Sequence, residues 1–517
     1  MRVSSSGTAD STGAAESTVA LSDRVRKGAL WAGGSSMFLR IGNIVVMAVV
    51  ARIVAPEQLG LFALTLVVHG VVVSLAELGV SSAIARSDLD ERTIAPTVTT
   101  ISIVSSLTLA GLVAWFAEPI ATALGSADAT EPIRVMALCV AMIGPFAVPG
   151  AQLQREFRQD LVFRANLIAF VPSAATLIVI SLLGDGALGF AWSRVVGQLV
   201  IGTLMFLSVS KRYRPGFDAK LVGPLLRFGL PLAFANLLSQ VLLNVDYVFV
   251  GRMLGVADVG LYNLAFNICM WSTATVASVL NGIVLPAFSH VRATGGSLPD
   301  ALARAVRTVA FIACPIGAVT LTLASPLIVT IYGAKWEGAA PVLGVLSVYG
   351  VVTVITLLLA NVIISTGRTG MLFLVQAVAL VCLLPALWVG VTLGGLVGVG
   401  VAHIAVIVCA TLPLYLIAVK RSLGTSPLIV ARSMLWPLAA AALAGLAGWA
   451  ASISLPNAPL QLLVGGFAAG IVYLVLTAPI LADTLPSGFA RLPGVGAAIA
   501  LAGMPLSLLT GRKRNKQ

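Results

Sequence analysis

Residues 52–64 read RIVAPEQLGLFAL, and residues 252–264 read RMLGVADVGLYNL. The arginine, the Gly-Leu pair, the aromatic that follows and the closing leucine hold the same places in both. Upstream, Arg26 and Gly28 answer to Arg227 and Gly229. Each stretch joins two long apolar runs, and each block of six such runs ends in a basic pair, Lys211-Arg212 and Lys420-Arg421. A repeat on this scale points to one structural unit used twice. Because both copies begin and end on the same side, they are parallel repeats, an arrangement seen in transporters built from two lobes.

The runs themselves fix the solvent. They lie near 28–53, 58–80, 94–117, 134–152, 162–184, 187–208, 228–252, 259–285, 303–331, 340–364, 371–392, 396–418, 433–452 and 460–481. Each approaches the ~20 residues that span a hydrocarbon core. The chain of 517 residues is 58% hydrophobic and 10% charged, and its mean hydropathy is +1.02. Soluble domains carry about 25% charged residues. The reading is an all-α integral membrane protein of about 14 transmembrane helices. Its parts are a polar tail (1–24), a first lobe of helices 1–6 (25–210), a linker (211–227), a second lobe of helices 7–12 (228–420), two extra helices (433–481) and a C-terminal tail (482–517). The apolar stretch 496–510 contains Pro505 and reads as an interfacial piece. The first residues, rich in Ser, Thr, Gly and Ala, lack the apolar core of a signal peptide.

Lysine and arginine orient the bundle. Most of the 32 fall in segments that are cytoplasmic if the N-terminus is inside: Arg24 to Lys27, Arg155 to Arg164, Lys211 to Arg214, Arg304 with Arg307, Lys420-Arg421 and Arg512 to Arg514. The outer segments hold Arg52, Arg134, Arg252 and Lys335. This is the positive-inside pattern, and it places both termini in the cytoplasm. The net charge of +12 therefore reflects membrane orientation and not nucleic-acid binding. The five cysteines lie singly in apolar runs and read as buried apolar side chains.

Polar side chains inside spans mark candidate sites, because each is costly against lipid. On the first helix Ser36, Arg40 and Asn43 share one face. On the seventh, Asn236, Ser239, Gln240, Asn244, Asp246 and Tyr247 form a broader stripe. In the repeat, Ser36 corresponds to Asn236 and Arg40 to Gln240. Such stripes suit a wet cavity between the lobes; the alternative is interhelical hydrogen bonding in a packed interface. Arg40, near mid-span, presents a guanidinium that can grip a diphosphate through two parallel hydrogen bonds. Arg194 either joins it or forms a salt bridge with Asp246. Asp246 is otherwise a protonation or cation site for coupling. Glu77 reads as interfacial, and His69 and His403 as locally satisfied. No nucleotide-binding loop, metal-ligand spacing or Ser/His/Asp constellation appears. The glycines from Gly394 to Gly400 follow no strand and read as a tight outer turn. The expectation is no cofactor, no bound metal and no direct ATP hydrolysis. Pro145, Pro172, Pro231, Pro315 and Pro385 interrupt spans and predict kinks.

The stretch GALWAGGSSMFLRIGNIVVMAVVARIVAPEQLGLFALTLVV, followed by ELGVSSAIA, resembles the start of bacterial polysaccharide flippases. These belong to the multidrug/oligosaccharidyl-lipid/polysaccharide exporter superfamily. Gly28, Trp31, Arg40, Ala51-Arg52, Pro56, Gly60-Leu61-Phe62 and Leu78-Gly79 carry the resemblance, which extends over about residues 25–420. The lipopolysaccharide and exopolysaccharide exporter type is the most similar branch. The resemblance implies a non-enzymatic transporter in the bacterial cytoplasmic membrane. It implies alternating access, with a polyprenyl-diphosphate-linked oligosaccharide as cargo. Membrane lipids, a polysaccharide polymerase and glycosyltransferases are the expected neighbours of a monomeric chain. The alternative is a sodium- or proton-coupled multidrug exporter of the same superfamily, which calls for carboxylates facing a cationic drug. A membrane glycosyltransferase would need a large polar loop with carboxylates, and no loop is long enough.

Overall fold

A computed structural model of the chain describes residues 38–76, 91–156, 158–280, 291, 294–365 and 369–484. All regular structure among them is helical. The helices are α1 (38–53), α2 (Pro56–Ala76), α3 (Glu91–Trp115), α4 (Ala117–Leu124), α5 (Thr130–Arg155), α6 (Gln159–Leu182), α7 (Gly186–Ser208), α8 (Ala219–Met253), α9 (Val256–Val279), α10 (Leu298–Thr322), α11 (Ala324–Ile331), α12 (Ala340–Ser365), α13 (Thr369–Val406), α14 (Leu412–Leu423), α15 (Pro427–Ser452) and α16 (Ala458–Thr484). Among the described residues, 11 helical stretches are long and apolar enough to cross a membrane. One of them, Gly370–Leu423, has 54 residues. A straight helix of that length would reach about 80 Å, more than twice a hydrocarbon core of about 30 Å. It turns at Gly395 (φ 54, ψ −135), a conformation with positive φ that glycine adopts freely. Beyond that turn Gly398 lies against Gly390, so closely that a Cβ on either would strike the other's backbone.

The chain forms two compact units, residues 1–244 and 245–517, and both carry one supersecondary pattern. In the first, α3 breaks at Phe116, α4 runs for eight residues, and Gly125 (φ 108) leads through a 3-10 turn into α5. In the second, α10 breaks at Leu323, α11 runs for eight residues, and Gly333 (φ 105) leads through a 3-10 turn into α12. The continuous runs read at 94–117 and 303–331 are thus each interrupted near their outer ends, at matching places. A proline stands three residues after each break, Pro119 and Pro326, and lacks the N–H that would continue the preceding helix. The short helix that follows buries Ala117 and Ala121 in one copy and Ala324 and Ile328 in the other.

In the first unit α3 packs on α5, and α5 and α6 pack on α7. The approach is close because glycine sits at the contacts: a Cβ on Gly144 of α5 would lie 2.5 Å from Ile103 Cα of α3. Small residues let backbones approach where lipid supplies no hydrophobic drive between helices. In the second unit α10 packs on α12 and α15, and α15 packs on α16. The seventh helix starts at Ala219, well before residue 228, so the connecting strand is only 209–218. Thr100 Oγ1 donates to Gly216 O (2.7 Å), and Asp218 N donates to Thr97 Oγ1 (3.1 Å). Leu225 then enters a core with Ile94, Val98 and Val148. The boundary between the units accordingly falls inside α8, at Asn244 and Val245, and not in the connecting strand. Pro145, Pro172, Pro231, Pro315 and Pro385 all lie inside helices. Ser36, Glu77 and the stretch 496–510 lie outside the described residues.

Candidate functional site

Six of the sequence-derived cargo positions fall in the first unit. On α1, Arg40 and Asn43 are exposed. The back of that helix is fixed by Gly42, where a Cβ would approach Phe170 of α6 to 2.8 Å. On α8, Asn236 is exposed, while Gln240 and Asn244 are half-buried. Gly70 of α2 makes room for Gln240: a Cβ there would stand 3.4 Å from its Nε2. Asn43 Nδ2 donates to Leu39 O (2.9 Å), Ser239 Oγ to Ala235 O (3.0 Å) and Asn244 Nδ2 to Gln240 O (2.8 Å). Among the described residues these three side chains bond only within their own helices.

Arg194 of α7 is exposed. It lies within electrostatic reach of His69 on α2 and Cys139 on α5. Among the described residues neither Arg40 nor Arg194 forms an ion pair. The planar fork of a guanidinium matches a phosphate. His69 Nδ1 is buried without a hydrogen-bond partner, which departs from the expectation that this histidine is satisfied locally.

The second unit holds a different constellation. Asp246 on α8 is 1% exposed. Its Oδ1 accepts from the Tyr247 backbone N–H (3.0 Å), and its Oδ2 accepts from Tyr262 Oη on α9 (2.5 Å). His403 Nε2 on α13 stands 3.3 Å from the same Oδ2 and 3.2 Å from Tyr262 Oη. A second tier supports this one: Asn263 Nδ2 donates to Tyr247 Oη (3.2 Å), and Asn267 Nδ2 to Asn263 O (2.8 Å). Aromatic rings enclose the imidazole, Tyr349 at 5.1 Å and Phe266 at 6.3 Å between centroids. Among the described residues of the second unit, His403 and Tyr262 occupy the Asp246 carboxylate. His403 is satisfied locally, as its solitary place in an apolar run suggested. Tyr262 and Asn263 escaped the sequence reading. The one signal pointing to them was the carboxylate itself, which needs donors, with an aromatic nearby on the next helix. Among the described residues no cluster of His, Cys, Asp and Glu could hold a metal ion.

Comparison with known proteins bears on the family and the fold. Lipopolysaccharide biosynthesis protein WzxC of Escherichia coli (strain K12) is 23% identical over 416 residues, covering 79% of this chain and 83% of that protein. Succinoglycan biosynthesis transport protein ExoT of Rhizobium meliloti (strain 1021) is 26% identical over 446 residues, covering 84% and 88%. Among solved structures, lipid II flippase MurJ in an inward closed conformation superposes with a TM-score of 0.74 at 17% identity, covering 87% of this chain and 98% of that one. An inward-facing multidrug resistance MATE transporter gives a TM-score of 0.59 at 18% identity, covering 73% and 94%. These two likenesses establish the fold. The family model described as polysaccharide biosynthesis protein matches residues 49–341, more than half of the sequence, and the chain belongs to that family.

Proposed function

We propose that this protein flips a polyprenyl-diphosphate-linked oligosaccharide across the bacterial cytoplasmic membrane by alternating access, for surface polysaccharide synthesis. The observation that carries the reading is chemical. In a member of a polysaccharide biosynthesis family, the first unit exposes two membrane-depth arginines, Arg40 and Arg194, with no carboxylate paired to either among the described residues. A diphosphate needs such groups, and Ser36, Asn43, Asn236, Gln240 and Asn244 add neutral donors and acceptors for sugar hydroxyls. The transport relatives WzxC and ExoT support the cargo class. Asp246 is the coupling candidate, so an ion gradient drives the cycle. The chain crosses fourteen times with both termini in the cytoplasm, the long element that turns at Gly395 supplying two crossings. A multidrug exporter is the second reading, but the charge on the exposed faces of the first unit has the wrong sign for a cationic drug.

The test is reconstitution. Proteoliposomes are loaded with a radiolabelled polyprenyl-diphosphate oligosaccharide and treated with a membrane-impermeant glycosidase. Wild type should change the protected fraction with time under an imposed gradient. An unchanged fraction, alongside efflux of a cationic dye from the same vesicles, would favour the exporter.

A further inference from the structure

The strand that joins α7 to α8 carries charge that nothing within the fold calls for. Residues 209–220 read VSKRYRPGFDAK, with four basic side chains and one acid. Helix α7 ends at Ser208, and Val209 leaves it in an extended conformation (ψ 139). Pro215 then disfavours helix at Arg214. One side of the strand is fastened to the first unit. Gly216 N donates to Pro96 O (3.2 Å), beside the bonds from Thr100 and to Thr97 given above. Val209 is buried, and Tyr213 packs on the core that holds Ile94 and Leu225. The other side is open: Lys211, Arg212, Arg214, Phe217 and Lys220 are all exposed. Among the described residues none of these four bases forms an ion pair. Asp218 does not neutralise them by contact, because its Oδ1 accepts from Lys220 N (2.9 Å) at the start of α8.

The repeat supplies a control. The second unit has its basic pair at the matching place, Lys420-Arg421, but there the pair lies in the last turn of α14. Cations at that end of a helix complement its dipole. The pair of the first unit stands beyond the end of α7 and has no such role. The fold therefore does not require an open basic strand.

Two aromatic rings indicate what the strand faces. Arg212 turns back along α7, with its guanidinium carbon 5.2 Å from the centre of the Phe206 ring. Phe206 and Leu207 are exposed at the end of an apolar span, Gly186–Ser208, so this ring belongs to the lipid-facing wall. A guanidinium laid on it sits at headgroup depth, as snorkelling side chains do. Phe217, 69% exposed, places a second ring at most about 20 Å from Lys211 along the extended chain. An acidic protein in the aqueous phase would meet the charges, but it would give no reason for a cation resting on a lipid-facing ring.

We propose that residues 211–220 form a docking strip for anionic phospholipid headgroups at the membrane surface. Lys211, Arg212, Arg214 and Lys220 are the phosphate partners, and Phe217 anchors the strip at the boundary of the acyl chains. The arginines offer planar forks that match phosphate oxygens. Because the backbone is already bonded to α3, lipid binds a surface that is ordered beforehand, which lowers the cost of association. The strip lies apart from the faces assigned to cargo, and the inference stands independently of the flippase reading.

The experiment uses purified full-length protein in neutral detergent micelles. Phosphatidylglycerol and phosphatidylcholine are added at equal concentration, and retained lipid is counted by native mass spectrometry. Wild type should retain phosphatidylglycerol in preference. Each basic side chain near an anionic surface contributes about 5-fold in affinity. Replacing Lys211, Arg212, Arg214 and Lys220 together by Gln should therefore cut the preference by at least about 10-fold. Lys420→Gln with Arg421→Gln should leave it unchanged. Should the fourfold variant fail to fold, Arg212→Gln with Arg214→Gln reads the same loss. A preference that survives in the folded strip variant overturns the proposal, and so does an equal loss in the Lys420 and Arg421 variant, which would make the effect one of total charge. Wild type without any preference overturns it as well and leaves the strip to an acidic protein.

Discussion

Tyr262→Phe removes one oxygen and little else. The ring is fully buried and stays in its contacts with Tyr247 and Phe266 at 5.4 and 5.7 Å. Phenylalanine is already the residue at the matching place of the first repeat, so the backbone geometry accepts it. The oxygen lost donates to Asp246 Oδ2 at 2.5 Å and stands 3.2 Å from His403 Nε2. A hydrogen bond to a charged group contributes about 1.5–3 kcal/mol. Neutral interhelical bonds in membrane proteins average only about 0.6 kcal/mol. The carboxylate argument therefore requires a loss near 2 kcal/mol, roughly a 30-fold shift in the unfolding equilibrium. Reversible unfolding in mixed micelles of graded SDS content measures it. Repeating the substitution in the Asp246→Asn background completes a double-mutant cycle, and the loss should shrink there because no charge remains to be served. A loss within about 0.5 kcal/mol in the wild-type background, or equal losses in both, would refute the picture of a hydroxyl that stabilises a buried anion.

Arg40→Ala should lower glycan flipping by roughly 10- to 150-fold, the equivalent of one charge-assisted hydrogen-bond set at about 1.5–3 kcal/mol; Arg40→Lys should recover part of the rate, since the ammonium keeps charge but loses the fork. Normal flipping by Arg40→Ala would remove Arg40 from the cargo path. Gly144→Ala places a methyl 2.5 Å from Ile103 Cα and should cost about 1–3 kcal/mol, read as a lower unfolding midpoint. Gly111→Ala meets nothing within 4 Å and should leave the midpoint unchanged or raise it, by up to about 1 kcal/mol. Reporter tags at the N-terminus and at Gln517 should map to the cytoplasm and a tag near Asp128 to the outside; one terminus mapping outside would break the count of fourteen crossings.

The helical class was legible because bilayer physics leaves a strong trace: apolar runs of span length, basic loops on one side. The repeat was legible because the turn between its first two helices keeps its own residues, from Arg52 to Leu64 and from Arg252 to Leu264. Other features left no comparable trace. The breaks at Phe116 and Leu323 each precede a proline by three residues, Pro119 and Pro326, which cannot donate to the helix ladder, a signal that hydropathy does not weigh. The short helices then bury Ala117 and Ala121 in one copy and Ala324 and Ile328 in the other, and hydropathy reads straight through them. The unit boundary inside α8 is equally invisible, because it depends on which neighbours Leu225 and Val250 find and not on any change in composition. The acid–base pair shows where the limit lies. Asp246 and His403 were each singled out as costly at membrane depth, yet Tyr262 lies 141 residues from His403 along the chain. Helical spacing relates residues within a span and is silent between spans. What joins them is a demand that sequence states only by half: a carboxylate away from water must find donors. The sequence offered Arg194 for that role, and within the second unit the packing of α8, α9 and α13 supplies Tyr262 and His403. Two chemistries thus stand within one duplicated fold, an exposed guanidinium in the first unit and a buried carboxylate bonded to a hydroxyl and an imidazole in the second. A guanidinium holds its charge in either setting, whereas a carboxylate at membrane depth depends on donors that only the fold can bring to it.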